Sequence, residues 1–125
     1  MNEPAARPYD LEERTELFAR EVRALVKRLP YTLANREDGR QLIRSSGSVG
    51  ANYIEANESL SRKDFALRVK ISRKEAKESA YWLRLLDVGS DSSVASERHR
   101  LVQEANELMR IMCAIVNKAT AERPC

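Results

Sequence analysis

The sequence has few of the residues on which many enzymes and metal proteins depend. Of its 125 residues, one is histidine and two are cysteines. Cys113 and Cys125 are too few for the cysteine-rich frameworks of small secreted domains or for a four-cysteine zinc site, and we expect Cys113 in the core. His99 alone leaves little for nucleophile–histidine pairs or multi-histidine metal sites. We therefore expect no catalytic residue, no metal and no cofactor.

Glycine, proline and aromatic residues are also scarce. Four glycines and four prolines exclude collagen-like and low-complexity chains. The chain is 42% apolar, 33% charged and only 6% aromatic, a mixture typical of long helices with enough apolar material for a core. At this length we expect one domain over residues 1–125.

Long apolar runs are missing as well. No stretch approaches the roughly 20 apolar residues that a membrane-spanning helix requires. Residues 1–10 contain Glu3 and two prolines but no apolar block, which is unlike a signal peptide. We expect a soluble, cytoplasmic protein with no membrane partner.

The sequence predicts four helices, over residues 10–29, 36–59, 61–88 and 94–119. Asp10 and Glu13 form a capping-box signature, and Pro30 stops the first helix. Apolar residues recur in that helix at steps of 7, 4, 3 and 4, which is the spacing of one helical face. These residues are Leu11, Phe18, Val22, Leu25 and Leu29.

The second predicted helix contains a run of small residues, residues 45–51. Asn35 is the expected N-cap. The small residues indicate either a loop or a close approach between helices. We favour close packing, because Leu42, Val49 and Tyr53 keep helical spacing through the run.

Capping signals and apolar spacing define the last two helices. Ser61 and Asp64 open the third helix, and Gly89 is the expected left-handed cap at its end. The fourth helix is expected to begin between residues 93 and 96. Its apolar seam alternates steps of 4 and 3, at Leu101, Ala105, Leu108, Met112, Ile115 and Ala119. Short connections between four helices predict an all-α, antiparallel, up-down-up-down four-helix bundle.

The third helix has two apolar arcs. At 100° per residue, Phe65, Val69, Ser72, Ala76, Ser79, Ala80 and Leu83 form the expected core arc. With Lys70 set at zero, the core arc runs from about 180° to 280° and a second apolar arc from about 20° to 120°. The second arc consists of Leu67, Ile71, Tyr81, Trp82 and Leu85. We interpret it as an oligomer interface, since large amphipathic aromatics are enriched where proteins meet. The alternative is a helix buried on two sides within its own subunit.

The same helix has a basic stripe. Residues 61–84 hold eight Lys or Arg against three Asp or Glu, a local net charge of +5 in a chain of net charge +3. Such a ridge could contact phosphates along a nucleic acid. The candidate contact residues are Lys63, Lys70, Arg73, Lys74, Lys77 and Arg84. The alternative is a solvated face balanced by pairs such as Lys74–Glu78.

Four glutamates on the second and third helices could indicate paired carboxylates for metal binding or acid–base catalysis. A di-metal bundle would need Glu-x-x-His motifs, which the chain lacks. We expect Glu55, Glu58, Glu75 and Glu78 to bond arginines across helices instead, with Arg44, Arg73 and Arg84 as candidates.

Residues 44–59 read RSSGSVGANYIEANES and are followed by Phe65 and the segment RKEAKE at residues 73–78. With these motifs the chain resembles the four-helix-bundle family of bacterial 23S ribosomal RNA intervening-sequence proteins. The resemblance implies a homopentameric ring and a link to insertions within ribosomal RNA genes. The chain is also similar to the accessory protein of diversity-generating retroelements, a basic pentamer that binds RNA and a reverse transcriptase.

Two functional hypotheses follow. The first is a non-catalytic, pentameric nucleic-acid-binding protein that recognises structured RNA, such as ribosomal RNA, through the stripe. The second is a protein–protein adaptor or scaffold ring without nucleic-acid binding, including an accessory subunit of a reverse transcriptase. In the second case the apolar arc matters more than the lysines.

Overall fold

Four α-helices and no strand make up residues 10–121, the part of the chain that this computed structural model describes. They are α1 (Leu11–Val26), α2 (Leu33–Asn57), α3 (Arg62–Leu85) and α4 (Ser92–Thr120). The expectations for residues 1–9 and for Cys125 concern residues outside this range.

Two of the predicted helix starts have the predicted caps. The Asp10 carboxylate accepts a hydrogen bond from the Glu13 backbone N–H at 3.2 Å, and the Ser61 hydroxyl accepts one from the Asp64 N–H at 3.0 Å. Each bond satisfies a backbone donor that the first helical turn leaves without a partner.

The predicted cap of α2 is wrong. Thr32, in extended conformation, caps the helix by accepting from the Asn35 N–H at 3.0 Å, so α2 begins at Leu33 rather than at residue 36. The buried Asn35 side chain instead ties two loops together. Its Nδ2 donates to the carbonyls of Pro30 and Asp87 at 3.0 and 2.8 Å, and its Oδ1 accepts from the Asp87 N–H at 2.9 Å.

Two helices are shorter than predicted at their C-terminal ends. α1 ends at Val26, and Leu29 follows in a turn before Pro30. α3 ends at Leu85, so Gly89 is not its cap, although its φ of +71° is left-handed.

A side chain from α4 satisfies the carbonyls at the end of α3. Arg98 Nη1 donates to the carbonyls of Leu83 and Leu86 at 3.2 and 2.9 Å. α4 itself begins at Ser92, because the Asp91 carboxylate accepts from the Ser93 and Val94 N–H groups. The end of α3 is therefore set by a tertiary contact rather than by a local glycine signal.

Close packing explains the small residues of α2, and the loop interpretation is wrong because the helix is continuous there. Gly50 lies against α1: a Cβ at this position would sit 2.7 Å from Thr15 Oγ1. On the α3 side, the Ser45 and Ser79 hydroxyls are 2.8 Å apart, and the Ser72 hydroxyl donates to the Val49 carbonyl at 2.7 Å. Small side chains thus let α2 approach both neighbours.

The helices form a four-helix bundle in which α3 packs against α2 and α4, and α1 packs against α2 and less extensively against α4. Contacts between α2 and α3 join higher residue numbers on one helix to lower numbers on the other, as Ser45–Ser79 and Val49–Ser72 illustrate. The largest fully buried side chains come from all four helices. They include Phe18, Leu25, Leu42, Val49, Leu83, Leu101, Leu108 and Met112.

The predicted seam of α4 is correct for four of its six residues. Leu101, Ala105, Leu108 and Met112 are buried, but Ile115 and Ala119 are only partly buried. Val116 takes the core position instead. The reason is that a straight helix of 3.6 residues per turn drifts away from a 3.5-residue repeat. The predicted core arc of α3 also differs at its start, where Ala66 rather than Phe65 is buried.

None of the helices within residues 10–121 is both long enough and apolar enough to cross a membrane.

The small-residue contact gives a direct test. We expect Gly50→Ala to lower the free energy of unfolding by about 1–3 kcal/mol, because the added methyl overpacks the contact with Thr15. Urea denaturation followed by far-ultraviolet circular dichroism measures the change.

Gly47→Ala is the matched control in the same helix. There an added Cβ would meet only the flexible Arg23 guanidinium, at 3.4 Å. Alanine should therefore be neutral or add up to about 1 kcal/mol through its higher helix propensity. Equal destabilisation by both substitutions would contradict the close-packing explanation.

Candidate functional site

The basic stripe lies along the outer side of α3. Lys63, Lys74, Lys77 and Arg84 are exposed, and Lys70 and Arg73 are partly buried. The helix is oriented by its opposite side, where Val69, Ser72, Ala76, Ala80 and Leu83 are buried. Because successive residues turn by 100°, burying that side directs the stripe toward solvent.

The exposed cations of the stripe are not balanced by carboxylates of the bundle. Among residues 10–121, Lys63, Lys74, Lys77 and Arg84 form no ion pair. In particular, the i,i+4 pair Lys74–Glu78 does not form. The Glu78 carboxylate binds Arg44 of α2 instead, with Nη2 and Oε1 3.1 Å apart. This leaves a local excess of positive charge at the surface.

Arg44 also interacts with Glu75, as predicted for these carboxylates. Arg44 Nη2 is 3.5 Å from Glu75 Oε1, and the two side chains are 49% and 13% exposed. Burial raises the pKa of the Glu75 carboxyl, an effect that the positive charge of Arg44 opposes. Glu55 and Glu58 are exposed at the far end of α2 and form no salt bridge with the described residues. The prediction therefore holds for Glu75 and Glu78 only.

The motif RSSGSVGANYIEANES at residues 44–59 has a structural role. Besides the contacts of Ser45 and Val49 with α3, Asn52 Nδ2 donates to the Ser48 carbonyl at 2.9 Å. Asn52 Oδ1 in turn accepts from Arg68 of α3 at 3.5 Å. The bonds of Ser45, Val49 and Asn52 to α3 hold α2 against that helix, so the motif positions the helix that carries the stripe.

The predicted interface residues divide into two groups. Leu67, Tyr81 and Leu85 are 54%, 48% and 47% exposed, and they form an outward apolar face beside the stripe. Ile71 is partly buried. Trp82 differs from expectation, because it packs partly on the core of its own subunit. Its indole Nε1 is buried and has no hydrogen-bond partner among residues 10–121. Tyr81 meets it edge-on, with ring centroids 5.0 Å apart.

Sequence reasoning missed a second basic region at the loop between α1 and α2. A groove of about 510 Å³ there is lined by Pro30 and Tyr31 together with three cations. These cations are Lys27, Arg36 and Arg40, and all three are exposed. Lys27 follows the end of α1 and the two arginines lie on α2, so no run of charge in the sequence reveals them.

Residues 10–121 contain no cluster of three or more His, Cys, Asp or Glu side chains placed to hold a metal ion. His99 is exposed on α4.

The fold and the stripe together define a small four-helix-bundle protein with a basic outer helix. Residues 9–114 match the family described as 23S rRNA-intervening sequence protein, and the chain belongs to this family. A solved structure with the same fold is a protein of unknown function from the S23 ribosomal protein family of Bacteroides thetaiotaomicron. It is 28% identical with a TM-score of 0.69, and the match covers 84% of this chain and 96% of that one. No curated protein matches the chain.

The buried carboxyl predicts a pH-dependent effect of Glu75→Gln. Because the pKa of Glu75 is raised in the folded protein, its ionisation costs stability as the pH rises through that value. Glutamine resembles the protonated carboxyl and avoids this cost. The variant's free energy of unfolding relative to wild type should therefore increase from acid to neutral pH.

Urea denaturation at a series of pH values provides the measurement. Glu55→Gln, at an exposed position of α2, corrects for the general loss of one negative charge. A difference for Glu75→Gln that is constant with pH, or that decreases toward neutral pH, would show that burial of this carboxyl carries no cost.

Proposed function

We propose that this chain is a non-catalytic, oligomeric, cytoplasmic nucleic-acid-binding protein whose ligand is structured RNA, such as ribosomal RNA. The proposed contact residues are those of the α3 stripe: Lys63, Lys70, Arg73, Lys74, Lys77 and Arg84. The observation that carries the proposal is the exposure of four of these cations on one helix without ion pairs in the described bundle.

The spacing of the stripe suits a phosphate backbone. Lys63, Lys70, Lys77 and Arg84 follow one another every seven residues, which is about 10.5 Å along a helix. A rigid row of cations of this kind binds phosphates without reading bases. Recognition would therefore depend on the shape of the RNA, as is usual for double-stranded regions of A-form geometry.

Oligomerisation would repeat the stripe in every copy. An antiparallel up-down arrangement agrees with the opposite residue order of the α2–α3 contacts. The exposed side chains of Leu67, Tyr81 and Leu85 supply apolar area for contacts between subunits. A ring of five is the subunit number that the family resemblance implies.

The competing function is an adaptor that binds a partner protein, including a reverse transcriptase, without RNA. The same exposed Leu67, Tyr81 and Leu85 favour it, because apolar patches mark protein contacts. Under this hypothesis, a partner captured from the cell should remain bound after nuclease treatment and at moderate salt.

Charge reversal of the stripe tests RNA binding. The variant Lys70→Glu/Lys77→Glu/Arg84→Glu should lose retention of an in vitro transcribed 23S ribosomal RNA fragment at low salt. For three lost phosphate contacts, the slope of log affinity against log salt should fall in magnitude by about 2 to 3. Fluorescence anisotropy over a salt series measures both quantities.

The matched control is Lys27→Glu/Arg36→Glu/Arg40→Glu. It changes the net charge equally, at exposed positions of the groove between α1 and α2. Retained binding by this control, with loss in the stripe variant, supports the stripe as the site. Loss in the control with retention in the stripe variant would move the site to the groove. Equal affinity of all three proteins would refute the proposal.

A further inference from the structure

The groove at the loop between α1 and α2, here called the α1–α2 groove, combines an apolar floor with a cationic rim. Its volume of about 510 Å³ lies within the range of pockets that take ligands, about 300–1,000 Å³. Apolar and aromatic side chains from the end of α1, the following loop and α2 line it. They are Val26, Leu29, Pro30, Tyr31 and Ile43. The proposed function uses none of these residues.

The cations at the rim of the α1–α2 groove have no acidic partners. Lys27, Arg36 and Arg40 are exposed, and they form no ion pair among residues 10–121. None of the described residues that line the groove carries a carboxylate. Three positive charges therefore remain available to a ligand that enters the groove.

The acidic residues of α2 nearest to the rim face away from the groove. Glu37 and Asp38 follow Arg36 in the sequence, but they lie about 120° to 140° around the helix from Ile43 at the floor. The first turn of α2 holds no acidic residue. The positive end of its helix dipole is therefore not offset there and adds to the attraction for an anion.

The polar groups at the floor are already engaged within the bundle. Asn35 uses both amide hydrogens and its Oδ1 in bonds to Pro30 and Asp87 of the two neighbouring loops. The Thr32 hydroxyl caps α2 by accepting from the Asn35 N–H. A nucleobase carries several polar edge atoms, and burying these here without partners would cost free energy. The floor therefore favours an apolar side chain over a base.

Contacts with the loop between α3 and α4 fix the shape of the groove. Besides the bonds of Asn35, Pro30 packs against Gly89, where an added Cβ would lie 3.0 Å from Pro30 Cγ. A preformed site loses less conformational freedom when a ligand binds. Tyr31 at the groove is 89% exposed, so most of its ring is open to a ligand.

We propose that the α1–α2 groove binds an acidic peptide segment of a partner protein, in which an apolar side chain is flanked by aspartate or glutamate. The apolar side chain fills the floor against Leu29 and Ile43 and contacts the Tyr31 ring, and the flanking carboxylates pair with the rim cations. Arginine clusters recognise acidic motifs in this way, through charge-assisted hydrogen bonds. This binding depends neither on RNA nor on the α3 stripe.

The spacing of the rim cations suits an extended segment. Arg36 and Arg40 are one turn apart, which is about 6 Å along α2. Alternate residues of an extended peptide are about 6.6 Å apart. Two carboxylates of one segment can thus reach both arginines. Lys27 follows α1, so the third cation comes from a different element of the groove.

Synthetic peptides test the chemistry of the ligand. The probe is a fluorescein-labelled peptide in which one leucine is flanked on each side by two aspartates, and matched peptides replace the aspartates by asparagine or the leucine by serine. Fluorescence anisotropy with the full-length protein gives the dissociation constants, in about 0.15 M salt, where charges beyond roughly 8 Å are screened. Each replacement should raise the dissociation constant at least about 10-fold, because it removes charge pairing or the burial of leucine.

Charge reversal locates the binding site. Lys27→Glu/Arg36→Glu/Arg40→Glu should raise the dissociation constant of the leucine peptide at least about 100-fold. The stripe variant makes the same change in net charge on α3 and should stay within about 3-fold of wild type, because its charges are screened at this distance. The opposite result is expected for RNA, so failure of one proposal is distinguishable from failure of the other.

Substitution of the exposed tyrosine tests the apolar contact. Tyr31→Ala should raise the dissociation constant about 3- to 10-fold, and Tyr31→Phe should bind like wild type, because the contact uses the ring rather than the hydroxyl. Leu60→Ala, at a fully exposed position between α2 and α3, is the control and should change nothing. Circular dichroism shows that each variant is folded.

Any of four results would overturn the proposal. The wild type binds none of the peptides, or it binds the leucine and serine peptides equally, as a general anion site would. Alternatively, both charge variants lose binding equally, which shows attraction to net charge alone. Finally, single-stranded oligouridine displaces the peptide and itself binds more weakly to Tyr31→Ala, which assigns the groove to nucleic acid. Joint dependence on the leucine, the aspartates, the rim cations and Tyr31 supports the proposal even if the stripe binds no RNA.

Discussion

The close approach of α2 to its neighbours is the contact on which the rest of the structure depends. Gly50 leaves room for Thr15 of α1, and the hydroxyls of Ser45 and Ser72 bond across to α3. Larger side chains at these positions would move the helices apart and leave polar groups buried without partners. Because α3 carries the basic stripe, its placement against α2 determines which of its sides faces solvent.

Polar contacts at one end of the bundle complete that placement. Asn35 joins the loop before α2 to the loop after α3, and Arg98 binds the last carbonyls of α3. These side chains satisfy backbone groups that would otherwise be buried without hydrogen bonds, so they secure the end of α3 without a glycine cap. At the other end, the Ser61 cap is local. α3 is thus held at one end by its own sequence and at the other by the bundle.

Packing against α2 determines which charged side chains of α3 form ion pairs. Arg44 draws Glu78 and Glu75 toward α2, and Lys74 is left without the helical partner that its sequence offers. The same interaction leaves an excess of positive charge on the outer side of α3. The chain belongs to the 23S rRNA-intervening sequence protein family, and a solved structure that is 28% identical has the same fold.

Local signals in the sequence determined the four helices, most of the core and two of the helix starts, because apolar spacing and side-chain caps act within a few residues. They also placed Glu75 and Glu78 with an arginine. Sequence alone could not determine the role of Asn35, the end of α3 or the partial burial of Trp82, since each depends on residues 12 or more positions away. Nor could it choose between Lys74 and Arg44 as the partner of Glu78. Only the packing of α2 against α3 decided that choice, because it brings together two charges that lie 34 residues apart in the chain.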